Sequence, residues 1–335
     1  MKKVLRGIAR CLGILAAVIV LLALTLSLLA LTETVDRAAV EGSADWMARL
    51  PDEMLLSEIV LPGSHDSATR FVQLAFFSKC QALSISEQLE AGCRYLDIRL
   101  GVDGHNGVLQ LMHGFTRCKT GAWPVPMSDP LLLDFVLEDC YAFLTAHPTE
   151  TVVFAVKQEH GEESAAEFQR MLDACVGEHP EFWLLTDSIP SLSDARGKLV
   201  LMRRYEDEAG LGASAGIPLI WEDQRGSENP SLHTVMHDQG SYRLWVQDRF
   251  EYNTAEKWTA FCDGMEAARA GIAAEDVPGA ALNFLSTKGS FTYGHPWHFA
   301  KSLNRNLETL APLSGWVILD FFDTRHAKLV YEQNF

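Results

Sequence analysis

The residues best suited to chemistry lie at the ends of three successive apolar runs in the first third of the chain. They are two histidines, His65 and His113, together with Asp66, Asp97 and Arg99. One histidine could remove a proton, the other could deliver one, and a fixed guanidinium could stabilise a phosphate. This set indicates phosphodiester cleavage, and the order and separation of the three runs carry more weight than any one of them.

Asp97 and Arg99 are two residues apart on a predicted strand, so their side chains share one face. Buried charges are normally paired, which makes an internal salt bridge the simplest interpretation. The salt bridge is compatible with a function, because a guanidinium fixed by one carboxylate still has donors that can face a phosphate. We therefore expect Asp97 to orient Arg99.

A resemblance to a known enzyme family covers nearly the whole chain from Trp46 onwards. The chain contains the strings LPGSHDSAT, EQLEAGCRYLDIRL, LMHG and FVLEDCYAFLTAHPTETVVFAVKQE, and later RGKLVLMRRY, WVQDRF and GWVILDFFD. These resemble the X region of phosphatidylinositol-specific phospholipase C in its bacterial, metal-independent form. Most of the specificity lies between Leu61 and Glu159.

The resemblance implies a lyase reaction that releases diacylglycerol and a cyclic inositol phosphate. In this reaction His65 would deprotonate the inositol 2-hydroxyl, and Arg99 would stabilise charge on the phosphoryl oxygens. His113, assisted by Asp66, would protonate the departing diacylglycerol oxygen. Asp320 would accept a hydrogen bond from His65. The other positions carried over are Asp97 as a catalytic residue, and Lys157, Arg204, Asp248 and Phe250 as substrate-binding residues.

Two departures from the family pattern affect the cofactor and the headgroup. The calcium-dependent branch holds its metal with acidic residues and an Asn, whereas this chain has Asp66 in place of that Asn and Arg99 in place of one acid. The resemblance therefore implies that a tethered cation replaces the metal, and we expect no cofactor and no calcium requirement. Phe250 stands where better-known bacterial members have a tyrosine, which leaves the headgroup open.

Two other functions fit parts of the sequence. One is a metal-dependent glycerophosphodiester or sphingomyelin-type phosphodiesterase on the same barrel. The other is a catalytically silent lipid- or glycan-binding module, although the intact set of catalytic residues argues against loss of activity.

The apolar pattern predicts an α/β fold, a (β/α)8 TIM-type barrel that is irregular or incompletely closed. Catalytic residues of such barrels lie at the carboxyl ends of strands, where most of the candidates fall. A doubly wound open sheet is the alternative, but no glycine-rich phosphate loop follows the first strand. The predicted strands are Ser57–Leu61, Arg94–Leu100, Val108–His113, Thr151–Lys157, Leu199–Arg203, Arg243–Gln247, Ala281–Leu285 and Trp316–Asp320. Helices are predicted from a capping box at Ser84 and Glu87, from Asp129-Pro130, and over Ala165–Val176, Thr254–Ala270 and Pro296–Leu310.

The N-terminal segment predicts a membrane anchor. Four basic residues, Lys2, Lys3, Arg6 and Arg10, precede an apolar run from Leu12 to Leu31, which is long enough to span a bilayer. The basic flank stays in the cytoplasm, so the catalytic domain is predicted to be extracytoplasmic on a single-pass protein, or secreted if the segment is cleaved. The predicted units are an anchor (1–32), a linker (33–45) and a catalytic barrel (46–335).

Composition narrows the partners. The 335 residues are 48% hydrophobic and carry a formal net charge of −16, which argues against nucleic acid and against docking onto anionic lipid through a basic patch. We expect a membrane phospholipid substrate, attachment to the chain's own membrane and no obligate protein partner. One disulfide is predicted, Cys80–Cys118, because both cysteines lie in loops next to candidate site strands.

Overall fold

An apolar N-terminal helix precedes the folded body. The computed structural model of the chain describes residues 2–29, 32–102, 107–121, 128–161, 163–225, 233–236, 243–274, 279–290, 294–310 and 312–335. Helix α1 spans Lys2–Leu29, and within it Arg6–Leu26 has a mean hydropathy of 2.5 and is not buried against the body. This window is long and apolar enough to cross a membrane, a property that signal sequences share. The boundaries of anchor, linker and barrel stay predictions.

The body is a curled, mostly parallel sheet with helices packed around it. The sheet order is β6-β7-β5-β2-β1-β12-β11-β10-β9, and β8 lies beside β7. Pairing is parallel from β7 through to β10, and β9 is antiparallel to β10. Within the described residues no pairing joins β8 to β10, so the predicted barrel is incompletely closed there. The strands are β1 Leu61–Ser64, β2 Tyr95–Val102, β3 Leu109–His113, β4 Thr116–Arg117, β5 Val152–His160, β6 Trp183–Leu184, β7 Leu199–Arg203, β8 Ile217–Pro218, β9 His233–Met236, β10 Arg243–Gln247, β11 Gly279–Phe284 and β12 Trp316–Leu319.

The helices follow the predicted alternation with strands. The capping box that Ser84 and Glu87 predict is present, with the Ser84 side chain accepting from the Glu87 N–H. The buried faces of the helices pack on the sheet in one continuous apolar core. After α1, the helices are α2 Ala75–Ser78, α3 Ile85–Glu90, α4 Leu133–Ala146, α5 Ala165–Glu178, α6 Leu192–Ala195, α7 Thr254–Ala274, α8 Pro296–Leu307 and α9 Thr324–Tyr331.

Three predicted elements are wrong. Ser57–Leu61 is not a strand, because Leu56–Glu58 forms a 3₁₀ turn and β1 begins only at Leu61. The strand predicted from Val108 is not a barrel strand: β3 runs antiparallel to β2 and then pairs with β4, so it forms a hairpin. Asp129-Pro130 does not start a helix, because Pro130 bridges to Lys119 in extended conformation and α4 begins at Leu133.

Candidate active site

His65 directly follows β1 and lies in a tightly packed turn. Gly63 lets β1 approach its neighbours, since a Cβ there would lie 2.5 Å from Ile318 Cδ1 and 2.8 Å from Tyr95 Cβ. The next residue after His65, Asp66, has a φ of 45°, which is uncommon for a residue with a side chain. Strained backbone of this kind is concentrated at functional sites. The turn aims the His65 and Asp66 side chains into one cluster.

Each ring nitrogen of His65 has a different partner. Nδ1 lies 2.7 Å from Asp320 Oδ1, the contact that the resemblance implies. Nε2 lies 2.8 Å from a terminal nitrogen of Arg99 and 3.3 Å from Asp66 Oδ2. Because Asp320 can only accept while ionised and Arg99 can only donate, the geometry fits a neutral ring with its proton on Nδ1. Nε2 is then the atom that can act as a base.

The charges around His65 raise its pKa above the usual 6.5. Burial alone lowers the pKa, but the carboxylates of Asp66 and Asp320 outweigh burial and the nearby Arg99 guanidinium. These carboxylates therefore make the His65 ring a stronger base than an ordinary imidazole.

Arg99 lies among three carboxylates. Its Nε is 3.0 Å from Asp66 Oδ1, one terminal nitrogen is 2.9 Å from Asp97 Oδ2, and the other is 3.2 Å from Glu159 Oε1. Its side chain is only 11% exposed. Burial lowers the pKa of Arg99, but the three carboxylates outweigh it, so the guanidinium stays charged. The contact between Asp97 and Arg99 supports the prediction that Asp97 orients Arg99, which stays a prediction.

His113 reaches the site from the β3–β4 hairpin. Its Nδ1 lies 2.8 Å from the Ser78 carbonyl oxygen, and its Nε2 lies 3.4 Å from Asp66 Oδ2. The centroids of the two imidazole rings are 6.3 Å apart. Asp66 therefore contacts both histidines, and the carbonyl fixes the orientation of the His113 ring.

Glu159 belongs to the cluster, although the sequence did not single it out. Besides Arg99, its carboxylate contacts the Lys157 ammonium at 2.5 Å and accepts the Gly114 N–H at 3.0 Å. Burial raises the pKa of Glu159, but Arg99 and Lys157 outweigh it and hold the pKa well below its usual value. Glu159 thereby connects Lys157 and the hairpin of His113 to Arg99.

Three of the four predicted substrate-binding residues lie beside this cluster. Lys157 contacts Glu159, as described. Arg204 lies 3.6 Å from Asp97 and 3.7 Å from Asp248, and its guanidinium stacks 3.6 Å from the centre of the Trp221 ring. The Trp221 indole N–H donates to Asp248 at 3.1 Å, a partner that the sequence did not indicate.

Phe250 has other neighbours. Its ring lies 5.1 Å from the Lys288 ammonium, and its carbonyl accepts hydrogen bonds from the Thr287 hydroxyl and the Lys288 N–H. Lys288 also pairs with Glu251. The role of Phe250 in headgroup recognition stays a prediction.

The predicted Cys80–Cys118 disulfide is wrong in this structure, since both are free, buried thiols. The Cys80 thiol instead points into the site, with Sγ 3.9 Å from His113 Nδ1. Burial, together with Asp320 and Asp66, raises the Cys80 pKa well above its usual value, so the thiol is protonated. This favours a packing role.

Three overlapping groups of side chains in the site are close enough to hold a metal ion. Two of the groups include Cys80 and the third contains Asp97, and in each the ligand atoms lie within 4.8 Å of one another. The Arg99 guanidinium already lies against Asp66 and Asp97, which belong to two of these groups. The groups are His65, Cys80 and Asp320; Asp66, Cys80 and His113; and His65, Asp66 and Asp97.

The raised pKa of His65 predicts the pH dependence of catalysis. A general base must be neutral, so kcat/KM should rise with pH through a His65 pKa that lies above 6.5. Asp320→Asn removes one of the carboxylates that raise this pKa, so the acidic limb of the profile should move to lower pH while the rate falls. An acidic limb that stays in place in Asp320→Asn would contradict the assignment of His65 as the base.

Part of the chain matches a protein family, and most of it is similar to known bacterial proteins. Residues 60–205 match the family described as phosphatidylinositol-specific phospholipase C, X domain. A protein named 1-phosphatidylinositol phosphodiesterase from Staphylococcus aureus (strain Newman) is 25% identical over 296 residues, which cover 83% of this chain and 88% of that protein. The Listeria monocytogenes protein of the same name is 27% identical over 209 residues, which cover 56% of this chain and 59% of its own.

A solved structure extends the likeness in fold. The crystal structure of a Staphylococcus aureus phosphatidylinositol-specific phospholipase C with an incorporated pentafluoro-Phe superposes with a TM-score of 0.68 at 20% identity, over 88% of this chain and 98% of that one. The shared fold thus continues well beyond the matched segment, which itself runs from just before β1 to just after β7. This chain is therefore similar to phosphatidylinositol-specific phospholipases C, whose X domain matches residues 60–205 and whose fold extends over most of the chain.

Proposed function

We propose that the chain cleaves phosphatidylinositol-type lipids to diacylglycerol and a cyclic inositol phosphate. The observation that carries the proposal is the pair of imidazole rings on either side of Asp66, with Arg99 between the carboxylates and the base. A base, an acid and a fixed cation within one small cluster are what an intramolecular phosphoryl transfer requires. The Staphylococcus and Listeria relatives carry the corresponding activity in their names.

In the first step His65 Nε2 removes the proton of the inositol 2-hydroxyl, which attacks the adjacent phosphorus. In the free enzyme Arg99 donates to this nitrogen at 2.8 Å. Phosphoryl oxygens carry a full charge and are stronger acceptors than a neutral imidazole, so a bound phosphate draws Arg99 away and frees Nε2. Asp320 then stabilises the imidazolium through Nδ1.

In the second half of the reaction His113 donates a proton to the departing diacylglycerol oxygen. The Ser78 carbonyl holds Nδ1–H of His113, which leaves Nε2 as the donating atom on the side of Asp66. Attack by a hydroxyl of the same molecule has a large proximity advantage over attack by water. The cyclic inositol phosphate is therefore the first product, and its hydrolysis is slow.

We further propose that catalysis needs no metal. The contacts of Arg99 with Asp66, Asp97 and Glu159 support this. The guanidinium neutralises the carboxylates that a metal ion would need as ligands. Lys157, Arg204 and Asp248 would hold the headgroup, since their charged groups border the same cluster.

We also propose that the enzyme acts at a membrane surface, anchored by α1 with the catalytic domain outside the cytoplasm. The apolar window Arg6–Leu26 and its basic N-terminal flank support this placement. Cleavage of the segment would convert the anchored form into a secreted one.

A mixed-lipid assay tests the function. The purified protein is incubated with phosphatidylinositol, phosphatidylcholine, sphingomyelin and a glycerophosphodiester, and the products are identified by mass spectrometry, with His65→Ala as the blank. We expect diacylglycerol and cyclic inositol phosphate from phosphatidylinositol alone. Products from the other lipids that disappear on addition of EDTA would instead support the metal-dependent alternative.

A further inference from the structure

The segment Glu33–Arg37, which follows the apolar helix, lies against the catalytic domain and is fixed at both of its ends. At one end the Glu33 carboxylate pairs with the Lys79 ammonium, and the two side chains are only 9% and 7% exposed. At the other end Arg37 donates to the Ala82 carbonyl oxygen at 2.9 Å and to Glu87 at 3.1 Å. We call residues 33–37 the strap.

The middle of the strap is also attached. Val35 packs against a small apolar cluster formed by Ala82, Ala300 and Phe321. The Asp36 N–H donates to the Asp323 carboxylate at 3.2 Å, and the Asp36 carbonyl accepts the Thr324 N–H at 3.3 Å. Glu33 and Val35 are half-buried while residues 34 and 36 are exposed, which is the alternation of an extended segment lying on a surface.

The strap lies beside the catalytic residues. Lys79, the partner of Glu33, follows Ser78, whose carbonyl oxygen holds His113 Nδ1 at 2.8 Å. Phe321, which belongs to the cluster that Val35 packs against, directly follows Asp320, the partner of His65. The strap therefore attaches to the two short segments that position the acid and the base.

The strap also brings the site close to the end of α1. Helix α1 ends at Leu29, four residues before Glu33, and a chain extends at most about 3.6 Å per residue, so the connection spans no more than about 14 Å. Cα atoms of α1 approach those of α2 to within 8 Å. Three large apolar side chains are exposed on the segments that carry Ser78 and His113: Leu74 (58%), Phe77 (47%) and Phe115 (72%).

We propose that the strap, by fixing the chain to the body only four residues after α1, keeps the active site close to the membrane helix, so that the substrate is lipid of the membrane that holds the enzyme's own anchor. This inference rests on the proposed function. If residues 33–45 were a free tether, the body could turn its site away from the bilayer.

Electrostatics favours the same arrangement. The whole chain has a net charge of −16, and four of its positive charges lie in the N-terminal helix, so the acidic body is repelled by an anionic lipid surface, which disfavours encounters with a second membrane. A covalent anchor with a short connection supplies instead a high effective concentration of lipid in its own membrane. The strap in addition keeps the active site turned towards that membrane.

The test compares lipid in the enzyme's own membrane with lipid in a second one. The full chain is reconstituted into vesicles containing phosphatidylinositol of one acyl composition and mixed with protein-free vesicles containing phosphatidylinositol of another. The two diacylglycerols are then separated by mass. Three proteins are compared: the wild type, a Val35→Ser/Arg37→Ala double variant that releases the strap, and a control, Glu41→Gln, at an exposed position beyond the strap.

We expect the wild type and Glu41→Gln to prefer lipid of their own vesicle by at least about tenfold. In the double variant cleavage in the same vesicle should fall several-fold and the preference should narrow. Activity on a short-chain, water-soluble phosphatidylinositol should stay unchanged in all three proteins, which shows that each is folded.

Each contrary outcome has a separate meaning. The proposal for the strap would be overturned if the double variant kept the full preference for lipid of its own vesicle. Equal cleavage of both vesicle populations by the wild type would overturn it too. Removal of α1 from the mature protein, seen as its intact mass, would overturn it as well. A wild type that cannot cleave the water-soluble lipid would refute the proposed function itself.

Discussion

Replacement of His65 or His113 by alanine should reduce kcat by about 10²–10⁴-fold, which is the contribution of one positioned proton transfer. His65 is held by Asp320 at 2.7 Å and His113 by the Ser78 carbonyl at 2.8 Å, so each ring is already oriented before substrate arrives. The measurement is steady-state cleavage of phosphatidylinositol by the purified variants.

The control for both variants is His179→Ala. The His179 side chain is 54% exposed and pairs with the surface residue Glu181, so its loss should leave the rate unchanged. Thermal unfolding of each variant shows whether the fold is kept. A folded His65→Ala or His113→Ala protein that retains the wild-type rate would refute the assignment of base and acid.

The sequence could predict those parts of the site whose residues are close together along the chain. His65 and Asp66 lie in a turn that follows β1 directly. Asp97 and Arg99 are two residues apart on β2, so their side chains share one face. The proximity within each pair therefore follows from local geometry. Asp320 required the family resemblance, because a single aspartate at the end of an apolar strand is usually a turn residue.

Glu159 was missed although a signal was present. Lys157 and Glu159 repeat on β5 the two-residue spacing of Asp97 and Arg99 on β2, and Arg99 pairs in register with Lys157. Neighbouring strands with charged residues on the same face must bring those charges together. Trp221 has no such signal, because it lies in a loop after β8 and only tertiary packing places it over Arg204.

The hairpin that carries His113 was wrongly predicted as a barrel strand, because the pattern of apolar residues does not distinguish parallel from antiparallel strands. A short, mostly apolar segment has the same pattern in a parallel and in an antiparallel strand. The discriminating feature was the connection, because β2 ends at Val102 and β3 begins at Leu109. Parallel strands need a crossover of roughly a dozen residues, so a gap this short already favours a hairpin.

Arg99→Lys should lower kcat by about 10²-fold or more, the cost of removing one preorganised donor from a developing negative charge. The arginine binds Asp97 through two nitrogens and Glu159 through the third, which a lysine with a single ammonium cannot reproduce. The matched control is Arg325→Lys, since that side chain is 60% exposed and pairs with Glu308 outside the site.

The same arginine decides the response to metals. If its guanidinium serves as the cation of the site, wild-type activity should survive EDTA, and added calcium should neither stimulate it nor rescue Arg99→Lys. The measurement is the initial rate in EDTA and in calcium for the wild type, Arg99→Lys and Arg325→Lys. Clear stimulation of the wild type by calcium would mean that the carboxylates of Asp66, Asp97 and Glu159 bind an ion despite the arginine among them, and the proposal of a metal-independent reaction would be wrong.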